Sequence, residues 1–203
     1  MTEKEKMLAG KLYDPFTPEL VSLRKKAHKL CREYNLLGED DPERAKILAE
    51  LVPDGEGLYL QGPINLDYGC LLHFGKNCYA NFNFTAIETR DIYIGDNVYF
   101  GPNVTLASAT HPLMYEERNQ YLREDGVMTD REYGRPIRIG SNCWIASGVI
   151  ICGGAEIGDG CVIGAGSVVT HSIPAGTLAA GNPCNVIRKI TEADSVYLKK
   201  ELF

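Results

Sequence analysis

Near the C-terminus, aliphatic residues recur at a fixed spacing of six: Ile139, Ile145, Ile151, Ile157, Ile163 and Val169. An α-helix repeats about every 3.6 residues and an isolated strand every two, so neither produces strict hexads. A short strand followed by a tight turn does, when three such units wrap around a prism with the aliphatic side chain inward. The spacing therefore predicts a hexapeptide-repeat parallel β-helix, with Ile139 and Ile157 stacked about 4.8 Å apart. The alternative is chance spacing in an ordinary β-rich domain.

The fifth residue of each hexad is compact, as expected of a position that fills space beside the aliphatic column. Cys143 and Cys161 occupy it 18 residues apart, and Cys78 occupies it in the earlier block FGKNCY. We expect these three cysteines to be buried apolar fillers. The seven cysteines form no CxxC or Cys/His cluster with zinc spacing. A disulfide framework is not expected in this class of protein.

Length and composition indicate a soluble protein. With 203 residues, 44% hydrophobic and 24% charged, the chain can form one large domain and a small accessory piece. Its net charge of -6 argues against nucleic acid as a partner, because phosphate backbones favour basic surfaces. The charged start, MTEKEKM, is not expected to be a signal peptide, and no apolar run reaches the length of a membrane span. We expect a cytoplasmic protein without a membrane partner.

Residues 1–57 differ from the hexads and are predicted to be helical. Thr17-Pro18 resembles a helix start, and an apolar stripe follows at three- and four-residue steps, ending before Gly38. A second helix is expected between Asp41-Pro42 and Pro53. Two short helices cannot bury a core alone, so they should pack on the β-helix. The β-helix is expected over residues 58–190, and a tail over residues 191–203.

One insertion interrupts the repeats. The hexads stop at Leu106 and resume at Ile137, so residues 107–136 are predicted to form a loop. Long insertions in solenoids often build binding faces, although a tolerated surface loop remains an alternative. His111 opens this insertion, whereas His28, His73 and His171 lie on a helix or in coil positions. An imidazole pKa near 6.5 suits a general base, which makes His111 the candidate.

Several strings narrow the interpretation: YGCLLHFGKNCYANFNFT, IGDNVYFGPNVTL, ATHP, IGSNCWIASGVII, IGAGSVVT and AAGNPCNVIRKI. Over nearly its whole length the chain closely resembles maltose and galactoside O-acetyltransferases. The resemblance implies a left-handed parallel β-helix with a small N-terminal helical segment. It also implies homotrimers with active sites between subunits, and transfer of acetyl from acetyl-CoA to a sugar hydroxyl.

The resemblance also implies residue roles on the acceptor side. His111 matches the family's catalytic histidine, and Asn81, in ANFN, matches an acceptor-binding asparagine. Asp67 matches an acceptor-side polar residue, and Asp14 falls within one residue of an acceptor-binding aspartate. Thr89 replaces an acidic acceptor contact of galactoside relatives, with Glu88 beside it. Without the resemblance, Asn81 and Asp67 would be interpreted as turn residues.

A second group of residues matches contacts to acetyl-CoA: Trp144 beside the cofactor arm, Ser147 near the thioester, Ala165, Thr170 and Arg188. Two positions depart from the family pattern, because His171 stands where relatives often carry lysine and Asn185 where some carry arginine. The cofactor phosphates are therefore expected to rely on Arg188, Lys189 and His171. Turn geometry, surface packing and small size are the structural alternatives for Ser147, Trp144 and Ala165.

The implied mechanism is direct acetyl transfer. His111 takes the proton of the acceptor hydroxyl, donors near Ser147 and Asn81 hold the oxyanion, and the CoA thiol leaves. It requires neither a cysteine nucleophile nor a metal. Alternatives are a hexapeptide acetyltransferase for an antibiotic or an amino acid, a non-catalytic scaffold, and a zinc-dependent γ-type carbonic anhydrase, which would need three histidines. The sequence does not identify the acceptor.

Overall fold

The computed structural model describes residues 1–202. Three helices form the N-terminal part: α1 (Glu3–Leu8), α2 (Pro18–Leu36) and α3 (Glu43–Leu51). Helix α2 begins as predicted at the proline after Thr17, since a first-turn proline loses no intrahelical hydrogen bond. The predicted apolar stripe supplies its buried residues Leu20, Ala27, Leu30 and Tyr34. Among the described residues, no helix combines the length and the apolar character needed to cross a bilayer.

Short strands make up most of the remaining chain. Before the insertion they are β1 (Tyr59–Leu60), β2 (Ile64–Leu66), β3 (Leu72–Phe74), β4 (Tyr79–Ala80), β5 (Phe84–Ile87), β6 (Ile92–Ile94), β7 (Tyr99–Phe100) and β8 (Thr105–Ala107). The insertion contains β9 (Ala109–Thr110), α4 (Tyr115–Arg118), β10 (Tyr121–Leu122), β11 (Met128–Thr129) and β12 (Tyr133–Gly134). After it come β13 (Ile137–Ile139), β14 (Trp144–Ile145), β15 (Ile150–Cys152), β16 (Glu156–Ile157), β17 (Val162–Ile163), β18 (Val168–Val169), β19 (Thr177–Ala180) and β20 (Asn185–Lys189).

Most of these strands form the three faces of a prism. We name the faces sheet A (β1-β4-β7-β14-β17-β19-β20), sheet B (β2-β5-β8-β15-β18) and sheet C (β16-β13-β6-β3). Within the coils, neighbouring strands are parallel, and Ile139 pairs with Ile157 as the 18-residue period predicts. Ile145 pairs with Ile163, and Ile151 with Val169. The parallel β-helix expected from the hexads is confirmed, with about six turns.

The interior of the prism is one continuous apolar column. The hexad residues on successive coils are almost completely inaccessible to solvent, and the fifth-position residues Cys78, Cys143 and Cys161 are buried beside them. Burial raises the pKa of the Cys143 thiol to about 11, so the thiolate is disfavoured. The prediction that these cysteines are apolar fillers is confirmed.

Asparagine side chains form ladders at the turns. Asn77, Asn97 and Asn142 have φ values of 56°, 55° and 60°, a left-handed conformation that asparagine tolerates better than most residues. Asn97 donates from Nδ2 to Oδ1 of Asn142 at 3.3 Å, and Asn83 donates in the same way to Asn103 at 2.9 Å. These bonds run along the prism axis, so each turn supports the next one.

The N-terminal helices cover the first coil. The Asn35 side chain accepts from the backbone N–H of Ile64 at 2.7 Å and donates to its carbonyl at 2.9 Å. Arg44 is buried and donates to the carbonyls of Leu60 and Gln61 at 2.9 and 2.8 Å. These side chains satisfy backbone groups that would otherwise form an open sheet edge. The expected packing of the helices on the β-helix is observed.

At the C-terminal end of the prism, the last parallel strand is covered by an antiparallel strand that the repeats do not predict. After the last hexad residue, Val169, β19 adds one more parallel strand beside β17, within the range expected for the β-helix. Strand β20 then folds back antiparallel onto β19 and occupies the outer edge of sheet A. The tail forms 3-10 turns at Glu192–Asp194, Val196–Leu198 and Lys200–Leu202. Phe203, the last residue of the predicted tail, lies outside the described residues.

His73 links the α3 end to the face of sheet C. Its Nδ1 lies 2.8 Å from Asp54 Oδ2 and its Nε2 lies 2.9 Å from Asp91 Oδ1. The imidazole also stacks on Tyr93, with ring centroids 4.9 Å apart. Burial lowers the pKa of His73, but the bonds to Asp54 and Asp91 outweigh it and raise the pKa above its usual value.

This raised pKa predicts a pH-dependent contribution to stability. The pairing stabilises the fold fully below the unfolded-state pKa of about 6.5 and is lost as pH rises through the folded-state pKa. We expect His73→Gln to lower the free energy of unfolding more at pH 5.5 than at pH 9, as measured by urea denaturation. An equal loss at both pH values would show that His73 contributes only through packing.

Candidate active site

Two long edges of the prism carry the polar residues singled out from the sequence. Edge AB, between sheets A and B, contains Asn81, Ser147 and Ala165 in turns stacked along the axis. Backbone bonds join its turns, including Gly148 N–H to the Pro102 carbonyl at 2.8 Å and Gly166 N–H to the Ser147 carbonyl at 2.9 Å. The hexad spacing thus aligns residues that are more than 80 positions apart in sequence.

Trp144 lies beside edge AB on the outer surface of sheet A. Strand β14 places it between Tyr99 and Val162, and 54% of its surface remains exposed. A large aromatic side chain exposed on a regular sheet face is available to contact a ligand or another chain. Asn81 lies at the start of the turn after β4, where its Oδ1 accepts from the Phe82 N–H at 2.8 Å.

Edge BC, between sheets B and C, contains Asp67, Glu88, Thr170 and the base of the insertion. The insertion leaves the coil at Ser108, whose hydroxyl accepts from the Thr89 and Arg90 N–H groups at 2.9 and 3.0 Å. Strands β9 and β12 pair antiparallel and carry the chain outward from this edge. Gly134 permits that pairing, because a Cβ there would come within 2.4 Å of Thr89 Oγ1.

His111 directly follows β9 at the start of the insertion. Its Nδ1 lies 3.2 Å from the Arg131 carbonyl oxygen. Since a carbonyl only accepts hydrogen bonds, Nδ1 carries the proton and Nε2 presents the lone pair. The side chain is 41% exposed, so this lone pair is accessible. The insertion therefore fixes His111 in the tautomer that a general base requires.

Glu132 stands opposite this lone pair. Its Oε1 lies 4.0 Å from His111 Nε2, and its Oε2 accepts from the Tyr13 hydroxyl at 2.7 Å. The backbones of Tyr13 and Glu132 also exchange two hydrogen bonds, at 2.9 and 3.2 Å. Burial raises the pKa of Glu132, and the Tyr13 bond and His111 oppose this rise. Glu132 is not predicted from the sequence, because no repeat pattern distinguishes it within the insertion.

Asp130 completes a small cluster with these two residues. Ligand atoms of His111, Asp130 and Glu132 all lie within 4.8 Å of one another. Nitrogen and carboxylate ligands at this spacing are compatible with a divalent cation. A cation bound at Nε2 would occupy the lone pair that accepts a proton, so the two uses of His111 exclude each other.

Asp67 and Glu88 shape the other part of edge BC. Glu88 is fully buried, and its carboxylate accepts N–H bonds from Asp67, Tyr68 and Gly69. Burial raises the pKa of Glu88 to about 8, although the backbone donors oppose this rise. Glu88 therefore points inward and holds the turn. Its carboxylate is not available to a bound acceptor molecule, so Glu88 does not replace the acidic contact that Thr89 lacks. Asp67 stays at the surface, 3.1 Å from Nε2 of His28, a histidine that the sequence assigns no role.

Asp14 fastens the insertion to the N-terminal segment. Its carboxylate accepts from Arg123 Nη1 at 2.6 Å, from the Phe16 N–H at 2.8 Å and from the Thr129 hydroxyl. Burial alone would raise the pKa of Asp14. The three donors lower this pKa by more than burial raises it, so it lies below its usual value. The Asp14 carboxylate thus binds groups of its own chain, and two of them, Arg123 and Thr129, belong to the insertion.

The residues expected to anchor phosphate lie at the C-terminal end of the prism. Arg188, on β20, is exposed and donates two bonds to Asp194 of the tail at 2.7 and 2.6 Å. Lys189 follows it on the same strand, opposite Thr177. Thr170 and His171 form the last turn of edge BC, and their side chains lie 3.4 Å apart.

Sequence and structure comparisons agree on the family. Residues 6–55 match the maltose acetyltransferase hexapeptide capping motif, and residues 136–171 match the bacterial transferase hexapeptide of six repeats. The chain is 40% identical to galactoside O-acetyltransferase of Escherichia coli K12, covering 99% of this chain and 96% of that one. The chain belongs to the maltose and galactoside O-acetyltransferase family. It is an acetyltransferase of the hexapeptide-repeat class.

Solved structures of this acetyltransferase family have the same fold. A maltose O-acetyltransferase from Clostridium difficile 630 has a TM-score of 0.85 and 46% identity, covering 95% of this chain and 99% of its own. A galactoside acetyltransferase in complex with coenzyme A has a TM-score of 0.86 and 39% identity, covering 96% and 94%. The recognised family and the predicted left-handed β-helix are thereby confirmed.

Within this acetyltransferase, the predicted site residues divide between the two edges. Asn81, Ser147 and Ala165 lie on edge AB, whereas Asp67 and His111 lie on or beside edge BC. Sheet B separates them, and a strand such as β5, with four residues, spans roughly 13 Å. The described chain therefore does not bring His111 and Asn81 together by itself.

Proposed function

We propose that this acetyltransferase moves acetyl from acetyl-CoA to a hydroxyl group of a sugar, with His111 as the general base. The observation that carries the proposal is the bond from His111 Nδ1 to the Arg131 carbonyl, which leaves Nε2 free to accept a proton. The related proteins named as maltose and galactoside O-acetyltransferases support a sugar acceptor. The coenzyme A complex of one of them supports acetyl-CoA as the donor.

The reaction then needs two proton transfers and one nucleophilic attack. Nε2 of His111 takes the proton of the acceptor hydroxyl as its oxygen attacks the thioester carbonyl carbon. The tetrahedral oxyanion accepts hydrogen bonds from donors near Ser147 and Asn81. The C–S bond breaks, the acetyl group stays on the acceptor oxygen, and the leaving thiolate receives the proton from Nε2. No cysteine acts as nucleophile.

The proposal includes a homotrimer with sites between subunits, and the two-edge arrangement supports it. In the proposed assembly, edge BC of one subunit faces edge AB of its neighbour, so that His111 meets Asn81 and Ser147 across the interface. The exposed Trp144, beside edge AB, lies along the path of the cofactor arm in this arrangement. Closed cyclic symmetry repeats the same contact three times, giving three equivalent sites.

The cofactor occupies the long axis of the interface in this proposal. Ser147 lies next to the thioester, Ala165 leaves room for the pantetheine arm, and Thr170, His171, Arg188 and Lys189 bind toward the nucleotide end. On the acceptor side, Asp67 and Asn81 bind the sugar. Asp14 supports this site indirectly, because its bonds to Arg123 and Thr129 hold the insertion that carries His111.

The first prediction from this proposal concerns His111 as the general base. We expect His111→Ala to lower turnover by about 10²–10⁴-fold, the usual contribution of a positioned general base. Steady-state thiol release with maltose and methyl β-D-galactopyranoside measures this loss. Acetyl-CoA affinity should be retained, because the imidazole lies at the reacting hydroxyl. Turnover within threefold of the parent enzyme would rule out His111 as the base.

The second prediction concerns the phosphate anchor. Asp194 accepts from both Nη atoms of Arg188, so in this proposal the cofactor phosphate displaces Asp194 from the guanidinium. We expect Arg188→Ala to weaken coenzyme A binding about 10- to 100-fold, as loss of a charge-assisted bond would. The matched variant Asp194→Asn removes the competing charge and should tighten binding. Isothermal titration measures both, and unchanged affinity in Arg188→Ala would exclude the anchoring role.

A further inference from the structure

The gap between Glu132 and His111 has the size of a binding site for hydroxyl groups. Oε1 and Nε2 are 4.0 Å apart, which is too far for a hydrogen bond between them. Both side chains are partly exposed, 22% for Glu132 and 41% for His111. A ligand can therefore reach both atoms at the same time.

Glu132 is held rigidly at this gap. The Tyr13 hydroxyl binds Oε2 at 2.7 Å, and the Tyr13 side chain is itself 2% exposed. Two backbone hydrogen bonds fix the same pair of residues. These contacts orient the carboxylate so that Oε1 faces His111, without any rearrangement when a ligand arrives.

Among the described residues, no lysine or arginine nitrogen lies within salt-bridge distance of Glu132, and the basic group that does is the His111 imidazole. Arg24 lies nearby, but its guanidinium donates to the Tyr68 hydroxyl at 2.7 Å and to the Pro15 carbonyl at 2.8 Å. A carboxylate oxygen without a strong donor gains from a ligand hydroxyl that donates to it.

We propose that Glu132 Oε1 accepts a hydrogen bond from a second hydroxyl of the acceptor while the reacting hydroxyl donates to His111 Nε2. This inference rests on the proposed function and narrows its acceptor. Two hydroxyl oxygens on neighbouring carbon atoms can each lie about 2.8 Å from its own partner when those partners are 4.0 Å apart. The acceptor class is thus a polyol in which a neighbouring hydroxyl flanks the one acetylated, and Glu132 determines this specificity.

A different role for Glu132 makes a separate prediction. Its negative charge could stabilise the imidazolium that forms on His111 during the reaction. In that case its removal would slow the reaction by the same factor with every acceptor. If it binds a second hydroxyl, its removal matters only for acceptors that carry that hydroxyl. The two roles can therefore be distinguished by measuring Glu132 variants against acceptors with and without the second hydroxyl.

The test combines Glu132→Ala and Glu132→Gln with a set of acceptors. The acceptors are methyl α-D-glucopyranoside and methyl β-D-galactopyranoside, with the monodeoxy derivatives of each sugar. The parent enzyme should not acetylate one of the deoxy derivatives, because that derivative lacks the reacting hydroxyl. A second should lower kcat/KM about 10- to 100-fold, because it leaves Oε1 without its donor.

In Glu132→Ala, that second derivative should react within threefold of its parent sugar, since nothing remains to sense the missing hydroxyl. Glu132→Gln, which keeps an acceptor oxygen, should retain part of the discrimination. Tyr13→Phe keeps the buried ring and loosens only Oε2, and should also weaken the discrimination. Coenzyme A titration and thermal unfolding of each variant establish that it is folded.

An equal loss with all acceptors in Glu132→Ala would overturn the inference and leave the proposed function intact. Full retention of the discrimination in Glu132→Ala would overturn it as well. A folded parent enzyme that binds coenzyme A but acetylates neither glycoside would instead refute the sugar acceptor of the proposed function.

Discussion

The stacking of aliphatic side chains inside the prism is the interaction on which the rest of the molecule depends. Each coil buries apolar residues directly above those of the preceding coil, as in the pairs Ile139–Ile157 and Ile145–Ile163. A slip of one residue would turn these side chains outward, so the register is strongly fixed. Because the register is fixed, the turns also stack, and residues far apart in sequence line up along the prism edges.

This alignment places the proposed site residues at two separate edges. Edge AB contributes Asn81 and Ser147, and edge BC contributes Asp67 and the insertion with His111. A β-helix is rigid along its axis, and nothing within one chain moves one edge toward the other. The insertion adds what the repeats cannot supply, a histidine with a fixed tautomer and a carboxylate held across from it. A second copy of the chain is the simplest way to bring both edges into one site.

The sequence predicted the features that follow from periodicity. The hexads predicted the coil register and the buried cysteines, and the apolar stripe predicted α2. The antiparallel return of β20 was not predicted, since its residues are exposed and follow no repeat. It pairs with the last parallel strand, β19, and itself becomes the edge of sheet A.

The candidate site could be predicted from the sequence only in part, because some of its contacts join residues that no repeat relates. His111 could be found because it marks the start of the insertion and lies in the ATHP string. Glu132 and its partner Tyr13 are 119 positions apart and meet through one isolated backbone bridge, which no local pattern indicates. The inward orientation of Glu88 likewise depends on the three N–H groups of a turn from the preceding coil.

The central claim is that His111 of one subunit works with Asn81 of the next. Its most direct test is to co-express His111→Ala and Asn81→Ala chains with different affinity tags and to purify the assemblies that carry both tags. If the site is shared in a trimer, each mixed assembly contains one intact site, which is about a third of the parent's sites. Thiol release should rise to that level. Mixed assemblies no more active than the two separate variants would contradict the shared site.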